Sequence, residues 1–193
     1  MSLQKNINFQ SFIPDNTFPN FNGFNKKKIE NLIKKTKEDI KDNKNMFYSF
    51  SNDFKMNFSF AELKRYKKFK RIITIGLGGS ILGAQAINYF LKKQIKKELI
   101  FINNLEIDQI NKLNKTSNLK NSLFIIISKS GNTIEVLSII NALKNKAFFN
   151  KKNSVIITDN RKSFLNTFAK NNKIKIIFHR NYIGGRFSIF SET

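Results

Sequence analysis

Apolar positions along the chain fall into two recurring patterns, a short continuous run and a longer stripe, and the two alternate. Leu123 to Ile127 reads LFIII, five apolar residues without polar alternation, the pattern of a central strand covered on both faces. A polar loop follows, and then Glu135, Val136, Leu137, Ile139, Ile140 and Leu143 are spaced as one apolar stripe on a helix. Arg71 to Leu91 repeats the unit: a strand over Ile72 to Ile75, a glycine loop, and a helix with apolar positions at Ile81, Leu82, Ala86, Ile87, Phe90 and Leu91. Further strands are predicted over Leu99 to Ile102, Ser154 to Ile157 and Ile174 to Phe178. Helices are predicted over Glu106 to Leu113 and Ser163 to Ala169, the latter burying Phe164, Leu165 and Phe168. Strands alternating with helices predict right-handed crossovers and an α/β fold, a three-layer doubly wound parallel sheet.

The first 68 residues break this rhythm. Met1 to Asn25 is polar, with scattered Phe and both prolines, Pro14 and Pro19, and reads as an irregular arm. Lys26 to Asn43 carries Ile29, Leu32, Ile33, Thr36 and Ile40 along one narrow face, the pattern of a helix packed on a surface. Met46 to Phe60 is aromatic-rich and fits no single period, and Ala61 to Phe69 suggests a short helix leading into the first strand. The division expected is an N-terminal helical arm over 1–68 and one domain over 69–193.

Both strand-to-helix loops carry candidate chemistry. Ser128, Lys129, Ser130, Gly131, Asn132 and Thr133 precede a helix start, where free backbone N–H groups and the positive dipole end favour an anion and the hydroxyls add donors. For any one such loop taken alone, simple helix capping is the stronger account. Gly76, Gly78, Gly79 and Ser80 form a second loop of the same kind, and in a parallel sheet both lie at strand carboxyl ends, where open α/β sheets bind ligands. Two loops on one edge can grip one phosphate from two sides. Nucleotide fingerprints fit poorly: the third position of G-x-G-x-x-G is Ile81, and Gly83 is followed by Ala84 and Gln85 instead of Lys and Ser/Thr.

Other side chains are read by position. Lys129, between two serines at a strand end, is better placed than most lysines to face an anion. Glu135 either complements the helix dipole or serves a ligand. His179, at a strand end, has a local hydrogen-bonding role. Arg186 follows Gly184 and Gly185, which let backbone approach a ligand, and its planar guanidinium suits a delocalised negative charge.

Composition narrows the function. The 193 residues suffice for a sizeable core. Cys is absent, so disulfides and thiolate chemistry are excluded, and a single His, His179, excludes a multi-histidine metal centre. The start lacks the apolar core of a secretory signal and no segment approaches the ~20 apolar residues of a membrane span, so a cytoplasmic protein without membrane partners is expected. The net charge of +22 invites a nucleic-acid reading, but of 35 basic residues only five are Arg, and the lysines are spread over every segment. Lys, Asn, Ile and Phe share A/T-rich codons, so drift in base composition accounts for the charge, and no specific nucleic-acid partner is expected.

Three stretches carry a resemblance. GLGGSILG at 76–83, ISKSGNTIE at 127–135 and IGGRFSIFS at 183–191 resemble, in order, three signatures of the glucose-6-phosphate isomerase family, built from sugar isomerase (SIS) domains. The resemblance spans about Phe69 to Thr193. It implies a flavodoxin-like SIS fold and interconversion of glucose 6-phosphate and fructose 6-phosphate with no metal or organic cofactor. It also implies a sugar-phosphate substrate held by Gly79, Ser80, Ser128, Lys129, Ser130 and Thr133, with Arg186 as the catalytic residue that stabilises an enediolate. In the family the general-base glutamate, the ring-opening histidine and a late lysine follow the Gly-Gly-Arg signature, so the chain reads as an amino-terminal part, expected to bind phosphosugar weakly without measurable turnover. The full-length family is usually homodimeric. A stand-alone phosphosugar-binding SIS module, or an SIS isomerase of another sugar phosphate, remain the alternatives.

Overall fold

The structure, a computed structural model, describes residues 26–115, 119–147 and 149–192. The arm expected over Met1 to Asn25 lies outside the described residues. Five strands form one parallel sheet: β1 (Arg71–Ile75), β2 (Glu98–Ile102), β3 (Ser122–Ile127), β4 (Ser154–Asp159) and β5 (Lys175–His179), in the order β2-β1-β3-β4-β5. The helices are α1 (Lys26–Asp39), α2 (Phe60–Leu63), α3 (Gly79–Phe90), α4 (Ile107–Lys115), α5 (Ile134–Ala147) and α6 (Phe164–Asn171). Each strand predicted from its apolar run is present, and most extend by one or two residues at an end.

Right-handed crossovers dictate the layers. The connection from β1 moves outward to β2 through α3, whereas those through α4, α5 and α6 move the other way and cover the opposite face. On that face Ile73, Ile75, Phe124, Ile126 and Ile156 meet α5 residues such as Val136, Ile139 and Leu143. Phe124 meets Phe149 edge-on, with ring centroids 4.9 Å apart. The second face is sealed by the segment before β1: Phe58, Leu63, Tyr66 and Phe69 pack on Leu123, Ile127, Val155, Ile157 and Ile177. Strand residues alternate between these two clusters, so the unbroken apolar run in β3 reflects burial on both sides. A capping box starts α2, in which the Ser59 hydroxyl accepts from the Glu62 amide and Glu62 accepts from the Ser59 amide.

One burial expectation is corrected. Phe164, expected in the core, is 51% exposed. It occupies the first turn of α6 and stacks on Phe168, whereas Leu165 is fully buried. α1 leans on the 3-10 turn Met46–Phe50, and among the described residues nothing covers Leu32, which is 62% exposed. On α3 only Ile81 is fully buried, and Phe90 is 88% exposed. Part of that helix faces the 3-10 turn Gly185–Phe190 and not the sheet, with Gly83 against Ile189.

Candidate functional site

Between β1 and β3 the strand order reverses: the chain leaves β1 toward one edge and β3 toward the other. The crevice at the carboxyl ends of these two strands is the topological switch point, where open α/β sheets bind ligands. Both loops singled out in the sequence open there.

After β3, Ser128 is buried and its hydroxyl lies 2.8 Å from that of Thr133, across the mouth of the loop. The Gly131 amide donates back to the Ser128 hydroxyl at 3.2 Å, and the Asn132 amide donates to the Ser130 hydroxyl at 3.2 Å. Gly131 has φ +69°, and a Cβ there would overlap the Ser163 hydroxyl, so the position requires glycine. The Thr133 carbonyl accepts from the Leu137 amide, which leaves the first amides of α5 without intrahelical acceptors. Ser128, Ser130 and Thr133 therefore ring a helix N-terminus with hydroxyls. Glu135 lies in the first turn of α5.

After β1 the chain turns so tightly that a Cβ on Gly76 would lie 3.1 Å from the Ile127 carbonyl oxygen of the neighbouring strand. Gly78 has φ +52° and precedes α3, and Ser80 follows with a half-buried side chain. Gly79 touches the third motif directly: a Cβ there would stand 2.5 Å from the Gly185 carbonyl carbon and 2.7 Å from the Arg186 Cα. Gly185 itself approaches the Ser80 hydroxyl, 4.0 Å from its would-be Cβ.

Lys129 spans the gap between the second and third motifs. Its Nζ donates to the Asn181 carbonyl at 2.7 Å and to the Ile183 carbonyl at 2.8 Å. The expectation from sequence was an ammonium facing an anion; in the structure two of its donors go to backbone carbonyls. Arg186 is exposed. The three motifs, more than a hundred residues apart at their extremes, thus meet at one edge of the sheet.

Behind the Arg186 loop lies a buried ionic cluster that the sequence did not reveal. His179 Nε2 donates to the Ile183 carbonyl at 2.9 Å, while its Nδ1 is 3.5 Å from the Glu192 carboxylate, whose other oxygen is 3.3 Å from Arg180 Nε. Burial works against a charge on Glu192, but the facing His179 ring, its own backbone amide and the Arg180 guanidinium outweigh it and hold the carboxyl below its usual range. Asn132 was also missed as a brace: its side-chain oxygen accepts from the Phe164 amide at 2.8 Å and ties the loop to α6. Its only signal was its place beside a glycine.

A cavity of about 630 Å³ lies elsewhere, at the amino ends of β1, β3 and β4, lined by Lys68, Phe69, Lys70, Asn121, Asn150, Lys152 and Asn153. None of the three motifs contributes to it, so the switch-point edge is the candidate site on chemical grounds. Among the described residues no three His, Cys, Asp or Glu side chains converge as a metal site, and no helix is long and apolar enough to cross a membrane.

The fold is that of the sugar-isomerase domains. A putative sugar-phosphate isomerase from Listeria monocytogenes superposes with a TM-score of 0.55 at 20% identity, covering 88% of this chain and 85% of that one. Within that class the chain belongs to the phosphoglucose isomerase family, whose model matches residues 26–193 and so reaches back across the segment that lacks the three motifs. The glucose-6-phosphate isomerase of Borreliella burgdorferi (strain ZS7) is 34% identical over 79% of this chain and 32% of its own length. The crystal structure of a glucose-6-phosphate isomerase from Chlamydia trachomatis superposes with a TM-score of 0.55 at 27% identity, covering 65% of this chain and 25% of that one. The chain spans about a third of the length of the curated relatives it matches.

Proposed function

We propose that the chain supplies the sugar-phosphate grip and the enediolate-stabilising arginine of a cytoplasmic glucose-6-phosphate isomerase. The convergence of the three motif loops on the switch point carries this reading. The phosphate of glucose 6-phosphate or fructose 6-phosphate sits against the hydroxyls of Ser128, Ser130 and Thr133 and the open amides of α5, with Gly79 and Ser80 closing the other side. There the helix dipole and charge-assisted hydrogen bonds favour a dianion.

With the phosphate fixed, the sugar carbons extend toward the Gly184-Gly185-Arg186 loop. When a proton moves between C1 and C2, negative charge develops on the enediolate oxygens. The Arg186 guanidinium, carried on a backbone packed against Gly79, stabilises that charge. No residue here is assigned as the general base. The reading extends to a homodimer for the full-length enzyme, and to residues 69–193 as a first SIS domain after an N-terminal arm. The packing of Phe58, Leu63 and Tyr66 on the sheet supports taking the end of that arm as a covering layer.

Calorimetric titration with fructose 6-phosphate, inorganic phosphate and unphosphorylated fructose tests the grip. The phosphorylated ligands bind and fructose does not, and Thr133→Val weakens both by about tenfold, the weight of one hydrogen bond to a charged group. Equal binding of fructose and its phosphate, or no effect of Thr133→Val, overturns the reading.

A further inference from the structure

We propose that Lys129 is a positioning residue for Arg186: its ammonium sets the Arg186 loop through the Ile183 carbonyl, together with His179, and does not hold the phosphate. The inference rests on the isomerase reading above and goes further, because it moves Lys129 from the anion to the backbone.

The path starts at the end of β5. After His179 the chain makes a turn closed by the Ile183 amide on the Arg180 carbonyl at 3.2 Å, and the Ile183 side chain is fully buried. Gly184 then runs extended, at φ −69° and ψ 147°, into the 3-10 turn that carries Arg186. Because the peptide unit is planar, fixing the direction of the Ile183 carbonyl fixes the orientation of the Gly184 amide as well. Arg186 is only two residues further on.

Two side chains converge on that oxygen from different strands. Lys129 Nζ donates at 2.8 Å from the end of β3, and His179 Nε2 donates at 2.9 Å from the end of β5. A carbonyl oxygen has two lone pairs, so both are used. Lys129 also donates to the Asn181 carbonyl at 2.7 Å, which spends two of its three ammonium hydrogens on the turn before Arg186.

The lysine is itself anchored. Its carbonyl accepts from the Asp159 amide at 3.0 Å and from the Thr158 hydroxyl at 3.3 Å, both at the end of β4. It therefore acts as a strut from β3, braced on β4, to the loop after β5. His179 is held in turn from behind by Glu192, with both side chains almost completely buried. From the opposite side Gly79 packs against the Arg186 backbone. The loop is fixed from three strand ends, which is what an arginine needs if it is to meet a developing charge without first paying to be ordered.

Two probes separate positioning from phosphate binding. Inorganic phosphate reads the hydroxyl loop alone. A five-carbon 5-phosphoaldonate, whose carboxylate stands where the enediolate oxygens form, reads that loop together with Arg186. In the 193-residue chain, Lys129→Met weakens the phosphoaldonate by about tenfold, the weight of one charge-assisted hydrogen bond, and shifts inorganic phosphate less than about twofold. Hydrogen exchange of the Gly184 to Arg186 amides quickens while that of β3 is unchanged. Lys129→Arg, which keeps a cationic donor, restores most of the phosphoaldonate affinity.

Equal weakening of both probes makes Lys129 an anion ligand and overturns the inference, as does no change in either. If Lys129→Met does not fold, Lys129→Gln is read in its place by the same criteria, since its shorter side chain cannot span to Ile183. A wild-type chain that binds neither probe sinks the isomerase reading, and this inference falls with it. One that binds both while the variants keep their relative affinities sinks the inference alone.

Discussion

The backbone of Arg186 lies directly on Gly79, so close that a Cβ at Gly79 would sit 2.7 Å from the Arg186 Cα. Backbone presses on backbone here, with no flexible side chain to yield. Gly79→Ala is expected to cost about 1–3 kcal/mol by overpacking and to shift Arg186, which urea unfolding and phosphoaldonate titration both read. Gly78 is the control. A Cβ there meets nothing within 4 Å, but φ is +52° with ψ −128°, a conformation side chains other than glycine rarely adopt, so Gly78→Ala costs about 1–3 kcal/mol from backbone conformation alone.

A second glycine separates loop shape from loop chemistry. At Gly131 φ is +69° and a Cβ would lie 2.7 Å from the Ser163 Cβ and 2.9 Å from the Thr158 hydroxyl. Gly131→Ala combines strain with a clash, and a loss of about 2–4 kcal/mol is expected. Because all the hydroxyls remain, any loss of phosphate affinity that accompanies it measures how much the grip depends on loop geometry.

The two phenylalanines Phe124 and Phe164 give the core its contrast. Phe124, on β3, is fully buried with Phe149 edge-on against it, so Phe124→Ala should lose about 3–5 kcal/mol. Phe164, half in solvent, should lose about 1 kcal/mol or less, most of it the stacking on Phe168. Comparable losses at both positions would contradict the exposure of the first turn of α6.

Glu192 makes stability depend on acid. Its carboxyl is held below the ordinary value of 4.5, so its stabilising contribution is complete above that pH and is lost as pH falls through the lowered folded value. Urea midpoints measured from neutral pH downward should fall along this limb. Glu192→Gln should flatten the limb and lower the neutral plateau, since Arg180 loses its buried counter-charge.

The sheet was legible because both of its faces are covered: Leu123 to Ile127 and Ser154 to Ile157 read as apolar runs, and each is a strand. Hydrophobicity alone misjudged Phe164. Periodicity says which residues share a face, but not whether another element reaches that face. The site was legible in part. Glycines and hydroxyls at the ends of β1 and β3 mark a loop wherever they occur, because backbone demands them locally. The bonds from Lys129 and His179 to the Ile183 carbonyl join residues far apart in sequence through a backbone oxygen that every residue possesses. No residue type advertises such an acceptor.

The second covering layer has a consequence for how the chain acquires its shape during synthesis. Phe58, Leu63, Tyr66 and Phe69 leave the ribosome before every strand they cover, and Val155, Ile157 and Ile177 emerge about a hundred residues later. The helices of the opposite face each pack next to strands that adjoin them in sequence. One side of the sheet can therefore assemble as it is made, whereas the other waits on long-range contacts with a costly loop to close. Until β4 and β5 are complete, the aromatic segment ahead of β1 has only the β1 and β3 part of its surface to settle on, and a nascent chain stalled at that point displays some of its stickiest residues to its neighbours.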